Sequence, residues 1–389
     1  MTKLIKRGFA DEEFQQRTAR AQRAMQTEDI DLLLLTTEPE VRYFSGFTTQ
    51  FWQSPTRPWF LLVPASGKPV AVIPGIGEAC MRHTWVEDIR CWSSPHPTDD
   101  GVSLLIDTIE ELTGTSARLG MPMGRESSLR MPLNDFHVLQ RRLPKHSFVD
   151  ITPVIQGLRQ IKSTAEIEKI SAACKASGLA FAELPQVVQS GDTERDIFQR
   201  FKQSCLMHGA DDVSYLVGAT GAGGYDDIIS PPSERLTHDG DILILDTGCI
   251  VDGYFCDYDR NYAFGHTDAA SAEAYRITHA ATQAALDMVR PGVTCADLFH
   301  VMQKVLDPAG DSKMNNVGRL GHGLGIQLTE SPSITPFDHT EMKPGMVMTL
   351  EPGLPYSKGK IMVHEENIVI REHGAELLTT RASAEIPII

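Results

Sequence analysis

The chain of 389 residues is 41% hydrophobic, so it can form two domains, or one large domain, with a sizeable core. Its formal net charge is −15 and it contains no basic block, which argues against nucleic acid and anionic membranes as partners. The N-terminus has no apolar signal segment and no stretch reaches about 18 consecutive apolar residues, so we expect a cytoplasmic protein.

The first part of the chain alternates between helical and strand patterns. The predicted helices are 11–28, 101–113 and 133–143, and the predicted strands are 31–36, 59–64 and 70–74. This alternation predicts an α/β domain over residues 1–155. Within it, a polar and aromatic loop at 48–58 holds Trp52 and Arg57.

Residues 156–389 repeat one pattern, two helices followed by strands, which indicates an internal duplication. The predicted helices are 163–181, 194–207, 269–289 and 294–306. Ser163, Thr193 and Thr294 are the predicted capping residues of the first, second and fourth of these helices. The predicted strands are 213–217, 321–329, 345–351 and 361–370. Ser163 and Glu166 fit a capping box, and residues 218–224 are predicted to form a glycine-rich loop.

The segment Asp241–Arg260 carries the strongest local signal in the chain. Its Asp252-Gly253 pair is typical of a two-residue β-hairpin turn, because that turn needs positive φ at both central residues. A turn at this point places Asp246 directly opposite Asp259.

Asp257 lies two residues before Asp259 and should therefore face the same side of the hairpin. Carboxylates grouped in this way repel each other, and burying them requires a cation. The alternative is a solvated acidic face. The apolar run Ile242–Leu245 before Asp246 argues against that alternative, since such runs are typical of buried strands.

Seven scattered cysteines without a CxxC pair indicate reduced thiols rather than a disulfide framework or a zinc–thiolate site. Cys249 and Cys256 should face each other across the hairpin, and a disulfide between them is the alternative. In a cytosolic chain we expect two small buried hydrophobic side chains instead.

Three further residues are candidate metal ligands. His322 lies in the glycine-rich segment GHGLG, Glu351 follows an apolar strand, and Glu365 lies within VHEENIVI. Taken singly, each has an ordinary interpretation, as a core or loop histidine or as a solvated glutamate at the end of a strand.

Five candidate ligands follow one another at spacings of 11, 65, 29 and 14 residues: Asp246, Asp257, His322, Glu351 and Glu365. This order, with the segments LILDTG, GHGLG, TLEPG and HEENIVI, resembles the pita-bread metallohydrolases, in the branch of prolidase, aminopeptidase P and creatinase. The segments IKSTAEIEKI and VRYFSGF resemble the same branch. The resemblance implies a mixed α/β (α+β) fold with a creatinase-like domain at 1–155 and a pita-bread domain of two pseudo-symmetric halves at 156–389.

The resemblance also implies a homodimer and a centre of two divalent cations. Asp246 would chelate one ion, Asp257 and Glu365 would bridge both, and His322 and Glu351 would complete the other. This oxygen-rich set suits Mn²⁺, our first expectation, with Co²⁺, Zn²⁺ or Fe²⁺ as alternatives. Two such ions can hold a shared hydroxide and polarise a carbonyl. The predicted catalytic residues are His322 and Glu351, and Glu351 would act as the proton shuttle for that hydroxide.

The chain departs from the peptidases of this family at two positions where they carry histidines. Ile229 and Thr329 stand there instead. The missing imidazoles hold the substrate carbonyl and the developing oxyanion, a contribution typically worth about 10²–10³ in rate. Val363 replaces an arginine that is common in prolidases, and Asp259 adds a carboxylate close to the metals.

Six residues are predicted to contact the substrate: Tyr225, Ile229, Thr329, His364, Trp52 and Arg57. Tyr225 has an ordinary loop residue as its alternative. His364 adjoins a ligand on a strand and should point away from the metals unless a bulge intervenes. Trp52 and Arg57 lie where the family's N-terminal domain reaches over an active site, often that of the partner subunit, and their alternative is a surface loop.

We expect metal-dependent hydrolysis of a C–N amide bond in a dipeptide or another small molecule, closest to an Xaa-Pro dipeptidase. Because both histidines are absent, Xaa-Pro cleavage should be weak. One alternative is a non-peptide substrate, as in ectoine hydrolase, creatinase or dimethylsulfoniopropionate lyase. Another is a non-catalytic binding protein on a peptidase fold, and the five intact ligands argue against it.

Overall fold

The computed structural model describes residues 5–54, 57–309 and 318–389. Contacts divide the chain into two compact units, Lys6–Arg159 and Gln160–Ile389. The domain limit predicted after residue 155 stays a prediction.

The N-terminal unit is a mixed sheet with helices. Its strands are β1 (Leu32–Leu35), β2 (Phe60–Pro64), β3 (Val70–Pro74), β4 (Asp88–Trp92), β5 (Arg118–Met121) and β6 (Ser147–Asp150). Its helices are α1 (Asp11–Thr27), α2 (Glu38–Ser45), α3 (Glu78–Met81), α4 (Val102–Thr113), α5 (Leu133–Arg142) and α6 (Thr152–Gln160). The strand order is β4-β3-β2-β1-β5-β6. The central β1 is antiparallel to β2 and parallel to β5, and its four leucines are all buried.

The described residues of the C-terminal unit form two helix pairs and three sheets. Its helices are α7 (Thr164–Val187), α8 (Glu194–Met207), α9 (Ala269–Met288) and α10 (Cys295–Leu306). Its first strands are β7 (Asp212–Ala222), β8 (Asp241–Val251), β9 (Tyr254–Phe255) and β10 (Tyr258–Ala263). The later strands are β11 (His322–Gly323), β12 (Glu330–Ser333), β13 (Val347–Leu350), β14 (Gly353–Ser357), β15 (Lys360–Val363), β16 (Glu366–Arg371) and β17 (Gly374–Leu377).

These strands follow the helix pairs in the order that the predicted duplication requires. One sheet has the order β10-β8-β7, with β9 also paired to β8, and a second has the order β12-β11-β13-β16-β17. The strands β14 and β15 form a separate hairpin.

The predicted capping residues hold the starts of three helices. Ser163 and Glu166 form the expected capping box on α7, and the hydroxyls of Thr193 and Thr294 accept from backbone N–H groups at the starts of α8 and α10. The predicted end of α7 at Phe181 is wrong, because the helix continues through Pro185 to Val187.

Tertiary structure explains how the helix tolerates that proline. Pro185 has no N–H to donate to the carbonyl of Phe181, four residues earlier. The hydroxyl of Tyr262 on β10 donates to that carbonyl at 2.8 Å. A neighbouring strand thus supplies the hydrogen bond that the proline removes.

The predicted glycine-rich loop at 218–224 is also wrong over most of its length. β7 continues to Ala222, and Gly218 pairs with Leu245 on β8. A Cβ on Gly218 would overlap the carbonyl of Ile244, so glycine is what permits this close approach of the two strands.

Two later strands are shorter than predicted. The only strand residues between 321 and 329 are those of β11, and the rest of that segment is a loop whose Gly325 carbonyl accepts from the N–H of Phe255 at 2.8 Å. The strand predicted at 361–370 is interrupted at His364 and Glu365. The His364 N–H donates there to the carbonyl of Pro352 at 3.2 Å, outside both flanking strands.

Candidate metal centre

The hairpin β8–β10 has the register predicted from its turn. Asp246 pairs with Asp259, and Ile250 pairs with Phe255. Asp252 has a φ of 48° and Gly253 a φ of 75°, as a two-residue hairpin turn requires. The ammonium of Lys169 on α7 lies 2.5 Å from the carboxylate of Asp252 and anchors the turn.

The other candidate ligands lie at the ends of strands. Asp257 lies between β9 and β10, and His322 begins β11. Leu350 at the end of β13 pairs with Glu366 at the start of β16. The next residue outward on each strand is a candidate ligand, Glu351 on one and Glu365 on the other.

Ligand atoms from three different segments come together. Asp257, His322 and Glu365 each offer one atom within 4.8 Å of the others. The Nε2 atom of His322 lies 3.4 Å from Oδ2 of Asp257 and 4.0 Å from Oε2 of Glu351.

A hydrogen bond decides which nitrogen of His322 is available for a metal. Nδ1 lies 2.9 Å from the carbonyl oxygen of Gly323, which can only accept, so Nδ1 carries the proton. The lone pair of Nε2 therefore points towards the carboxylates of Asp257 and Glu351. Burial lowers the pKa of His322 to about 4, so the ring is neutral at pH 7 and suited to bind a metal.

The carboxyl groups of the site have raised pKa values. Burial raises the pKa of Asp246 to about 7 and, with the charge of Asp246, that of Glu351 to about 8. Burial followed by the charges of Asp246 and Glu351 raises the pKa of Asp257. Burial followed by the charge of Asp257 raises that of Glu365. Each carboxylate is thus destabilised by burial and by its neighbours, which is the electrostatic setting that a bound cation relieves.

Buried oxygen atoms without a hydrogen-bond partner give an independent test of whether cations fit. Among the described residues these include Oδ1 of Asp246, Oε1 of Glu365 and Oδ2 of Asp259. A buried carboxylate oxygen is normally hydrogen-bonded or bound to a metal. The residues present therefore fit two divalent cations, whose four positive charges would balance the carboxylates of Asp246, Asp257, Glu351 and Glu365.

One residue beside the cluster was missed in the sequence analysis. The hydroxyl of Tyr215 on β7 lies 3.4 Å from Oδ2 of Asp246 and can donate to it. Burial, followed by the charges of Asp246 and Asp257, raises the pKa of Tyr215, so the phenol stays protonated. The pairing of β7 with β8 brings Tyr215 to this place. The sequence predicted a strand at 213–217 but not which strand pairs with it.

Two residues predicted to contact the substrate are buried. Tyr225 is 2% exposed, and its hydroxyl donates to Asn261 at 2.6 Å and accepts from the N–H of Val363 at 3.2 Å. His364 is 1% exposed, with its ring nitrogens 2.9 Å from the hydroxyl of Thr282 and 3.3 Å from the guanidinium of Arg381. Both side chains are core residues whose polar atoms are used within the protein.

The remaining predicted substrate residues have different surroundings. Ile229 is 74% exposed. Thr329 is half-buried, in the loop whose Leu328 packs against Gly248 of β8. Trp52 and Arg57 lie in the N-terminal unit, where Trp52 packs against Trp59 and Arg57 lies over the ring of Phe51. Substrate contact by these four residues stays a prediction.

Asp259 is buried beside the cluster, as expected. It is 2% exposed, and the amide nitrogen of Asn261 lies 3.4 Å from its Oδ1. Burial followed by the charge of Asp246 raises its pKa, so Asp259 is a further buried carboxyl group whose ionised form is disfavoured beside the candidate ligands.

Residues 168–372, more than half of the chain, match the model of metallopeptidase family M24. The chain belongs to this family. Residues 17–161 match the creatinase/prolidase N-terminal domain. The two matches confirm the predicted prolidase-like family and fold of this M24 protein, and with them a hydrolase that depends on divalent metal.

Individual M24 relatives resemble the chain over nearly its whole length. A probable dipeptidase PepE of Mycobacterium tuberculosis is 28% identical over 371 residues, which cover 95% of this chain and 95% of that protein. The crystal structure of dipeptidase PepE from Mycobacterium ulcerans has a TM-score of 0.84 at 27% identity and covers 98% of this chain and 99% of that one. Recombinant prolidase from Thermococcus sibiricus has a TM-score of 0.86 at 26% identity and covers 97% and 99%.

No helix in the described parts of this M24 protein combines the length and the apolar character needed to cross a membrane.

Proposed function

We propose that the chain hydrolyses a C–N amide bond at a centre of two divalent cations. The cations are held by Asp246, Asp257, His322, Glu351 and Glu365. The observation that carries the proposal is the meeting of buried, unpartnered carboxylate oxygens with the free Nε2 of His322. When bound, the two ions would activate a shared water as hydroxide and polarise the carbonyl of the substrate.

The side chains of the site have different roles, according to their exposure to solvent. Asp257 and His322 are nearly enclosed, with exposed side-chain fractions of 6% and 5%, and they serve as ligands. The side chain of Glu351 is 27% exposed. Glu351 can therefore reach both the centre and solvent, and we assign to it the transfer of a proton between the attacking water and the leaving nitrogen.

The proposal also covers the identity of the ions, the cellular compartment and the oligomeric state. Four carboxylates with one imidazole suit Mn²⁺, and Co²⁺, Zn²⁺ or Fe²⁺ are the alternatives. All seven cysteines are free thiols, which agrees with a reducing cytoplasm. We propose a homodimer, which sedimentation of the purified chain would test.

Two observations bear on the class of substrate, namely the similar proteins and the two absent histidines. Dipeptidases and a prolidase are among the similar proteins, which favours a dipeptide. Ile229 and Thr329 offer no imidazole to steady a peptide carbonyl, which favours a compact non-peptide substrate as the second candidate. We propose weak Xaa-Pro cleavage, with kcat/KM below the roughly 10⁴–10⁸ M⁻¹s⁻¹ usual for enzymes on their own substrates.

A substrate panel tests both candidates. Xaa-Pro dipeptides, ectoine, creatine and dimethylsulfoniopropionate would each be incubated with the protein in Mn²⁺ and again in chelator. Mn²⁺-dependent cleavage of a C–N bond in a dipeptide, ectoine or creatine supports the proposal, and the preferred substrate separates the two candidates. Efficient turnover of Xaa-Pro dipeptides would identify the chain as a prolidase. Cleavage of dimethylsulfoniopropionate alone, which contains no C–N bond, would contradict C–N hydrolysis. Metal-free protein without activity on any compound of the panel would favour a binding role instead.

A further inference from the structure

A pair of buried side chains lies one layer beneath the candidate ligands. Thr349 on β13 pairs directly with Asn367 on β16, and both are 0% exposed. Side chains alternate along a strand, so Thr349 faces the same side as Glu351 and Asn367 the same side as Glu365. The Thr349–Asn367 pair therefore faces the centre from within the sheet.

The carboxamide of Asn367 takes the place of a backbone partner for Asp257. Neither β9 nor β10 includes Asp257. The N–H of Asp257 donates to Oδ1 of Asn367 at 2.9 Å, and Nδ2 of Asn367 donates to the carbonyl of Asp257. The thiol of Cys174 also donates to Oδ1 at 3.4 Å, which fixes the orientation of the amide group.

The hydroxyl of Thr349 likewise provides a side-chain hydrogen-bond partner for the backbone of His322. The N–H of His322 donates to Oγ1 of Thr349 at 3.0 Å. Gly321, with a φ of 137°, lies directly against the strand, where a Cβ would overlap the carbonyl of Thr349. The short strand β11 is thereby held against β13 at the residue that carries the imidazole.

We infer that the Thr349–Asn367 pair positions Asp257 and His322 and so sets the affinity of the centre for divalent cations. This inference rests on the proposed function. The two ligand segments come from distant parts of the chain, and one cross-strand pair holds the backbone of each. Thr349 and Asn367 bond to backbone atoms of the ligand residues, so both are positioning residues rather than catalytic ones.

Substitutions at Thr349 test the inference with little change of shape. Thr349→Val removes the acceptor of the His322 N–H, and Thr349→Ser keeps it. Thr278→Val is the matched control, because Thr278 is equally buried and its hydroxyl donates only to carbonyls within α9. The measurements are Mn²⁺ affinity by isothermal titration calorimetry and the melting temperature of the metal-free protein.

We expect Thr349→Val to bind Mn²⁺ about tenfold more weakly, within the 10–100-fold usual for groups that orient metal ligands. Thr349→Ser should retain the wild-type affinity, and so should Thr278→Val, although it also loses a buried hydroxyl. The melting temperature of each metal-free variant shows that it is folded when the affinity is measured. Wild-type affinity in Thr349→Val would overturn the inference and leave the proposed function standing. A wild-type chain that binds no Mn²⁺ would overturn the proposed function itself.

Asn367→Leu supplies a second, independent variant of similar shape and adds no charge beside the centre. It removes both the acceptor for the N–H of Asp257 and the donor to the carbonyl of the same residue. We expect a larger loss of Mn²⁺ affinity than in Thr349→Val, because both backbone groups of Asp257 then lose their partner in a buried site. Undiminished affinity in Asn367→Leu would show that the amide does not position Asp257.

Discussion

The candidate centre has two sides that the chain builds in different ways. The hairpin side (Asp246 and Asp257) comes from residues 11 apart, joined by one two-residue turn. The strand-end side (His322, Glu351 and Glu365) comes from three separate segments that meet only in the folded sheet. A local turn brings the two residues of the first side together, although Asn367 on β16 also holds the backbone of Asp257. The second side depends entirely on long-range pairing of β11, β13 and β16.

The two sides differ in what supports them. A turn residue with positive φ sets the register of the hairpin side, so a change at the turn should act on two ligands together. On the strand-end side the ligands lie at, or one residue beyond, the ends of strands. Side-chain hydrogen bonds such as that of Thr349 replace the missing strand pairs there.

The largest predicted effect comes from removing one charge on either side. Asp246→Asn on the hairpin side and Glu365→Gln on the strand-end side should each lose most bound metal and nearly all activity. Each substitution deletes an anionic ligand from a site that needs neutrality. Metal content by mass spectrometry and turnover would be compared with chelator-treated wild type. Full metal content and activity in both variants would contradict the two-cation centre.

A smaller but specific loss is predicted at Glu351, the partly exposed member of the strand-end side. Glu351→Gln should keep part of the metal but lower turnover by about 10²–10⁴, the usual contribution of general acid–base catalysis. Metal content and kcat measured on the same preparation separate the two effects. Turnover close to wild type would remove Glu351 from the role of proton shuttle.

The hairpin turn allows a test of geometry without touching a ligand. Gly253→Ala places a side chain at a φ of 75°, and we expect it to cost about 1–2 kcal/mol in unfolding free energy. Gly292→Ala is the matched control, since Gly292 has a φ of 89° and open space around it. Thermal melting should show similar losses in both variants, whereas only Gly253→Ala should weaken Mn²⁺ binding. Equal Mn²⁺ affinities would mean that the turn does not control the hairpin side.

The smallest predicted effect concerns the hydroxyl beside the hairpin side. Tyr215→Phe removes a donor to Asp246 and should reduce kcat by roughly 2–10-fold, equivalent to a hydrogen bond of about 0.5–1.5 kcal/mol. Unfolding free energy should change little, because the ring keeps its packing. A kcat equal to that of wild type would limit Tyr215 to a packing role.

Local sequence signals by themselves determined much of this molecule. The Asp252-Gly253 turn and the alternation of side chains were enough to pair Asp246 with Asp259, because a two-residue turn leaves one register. The capping box at Ser163 and Glu166 was equally readable, since both partners lie within four residues. The five candidate ligands came from their order and spacing, through resemblance to a family.

Only the tertiary structure decided which polar side chains remain free. Tyr225 and His364 looked like substrate contacts, but neighbouring strands and helices bury them and use their polar atoms. Tyr215 gave no local signal, because its place beside Asp246 arises from a strand pairing 31 residues apart in sequence. Sequence patterns report the backbone of one segment at a time, whereas burial and hydrogen-bond partners depend on which other segments pack against it.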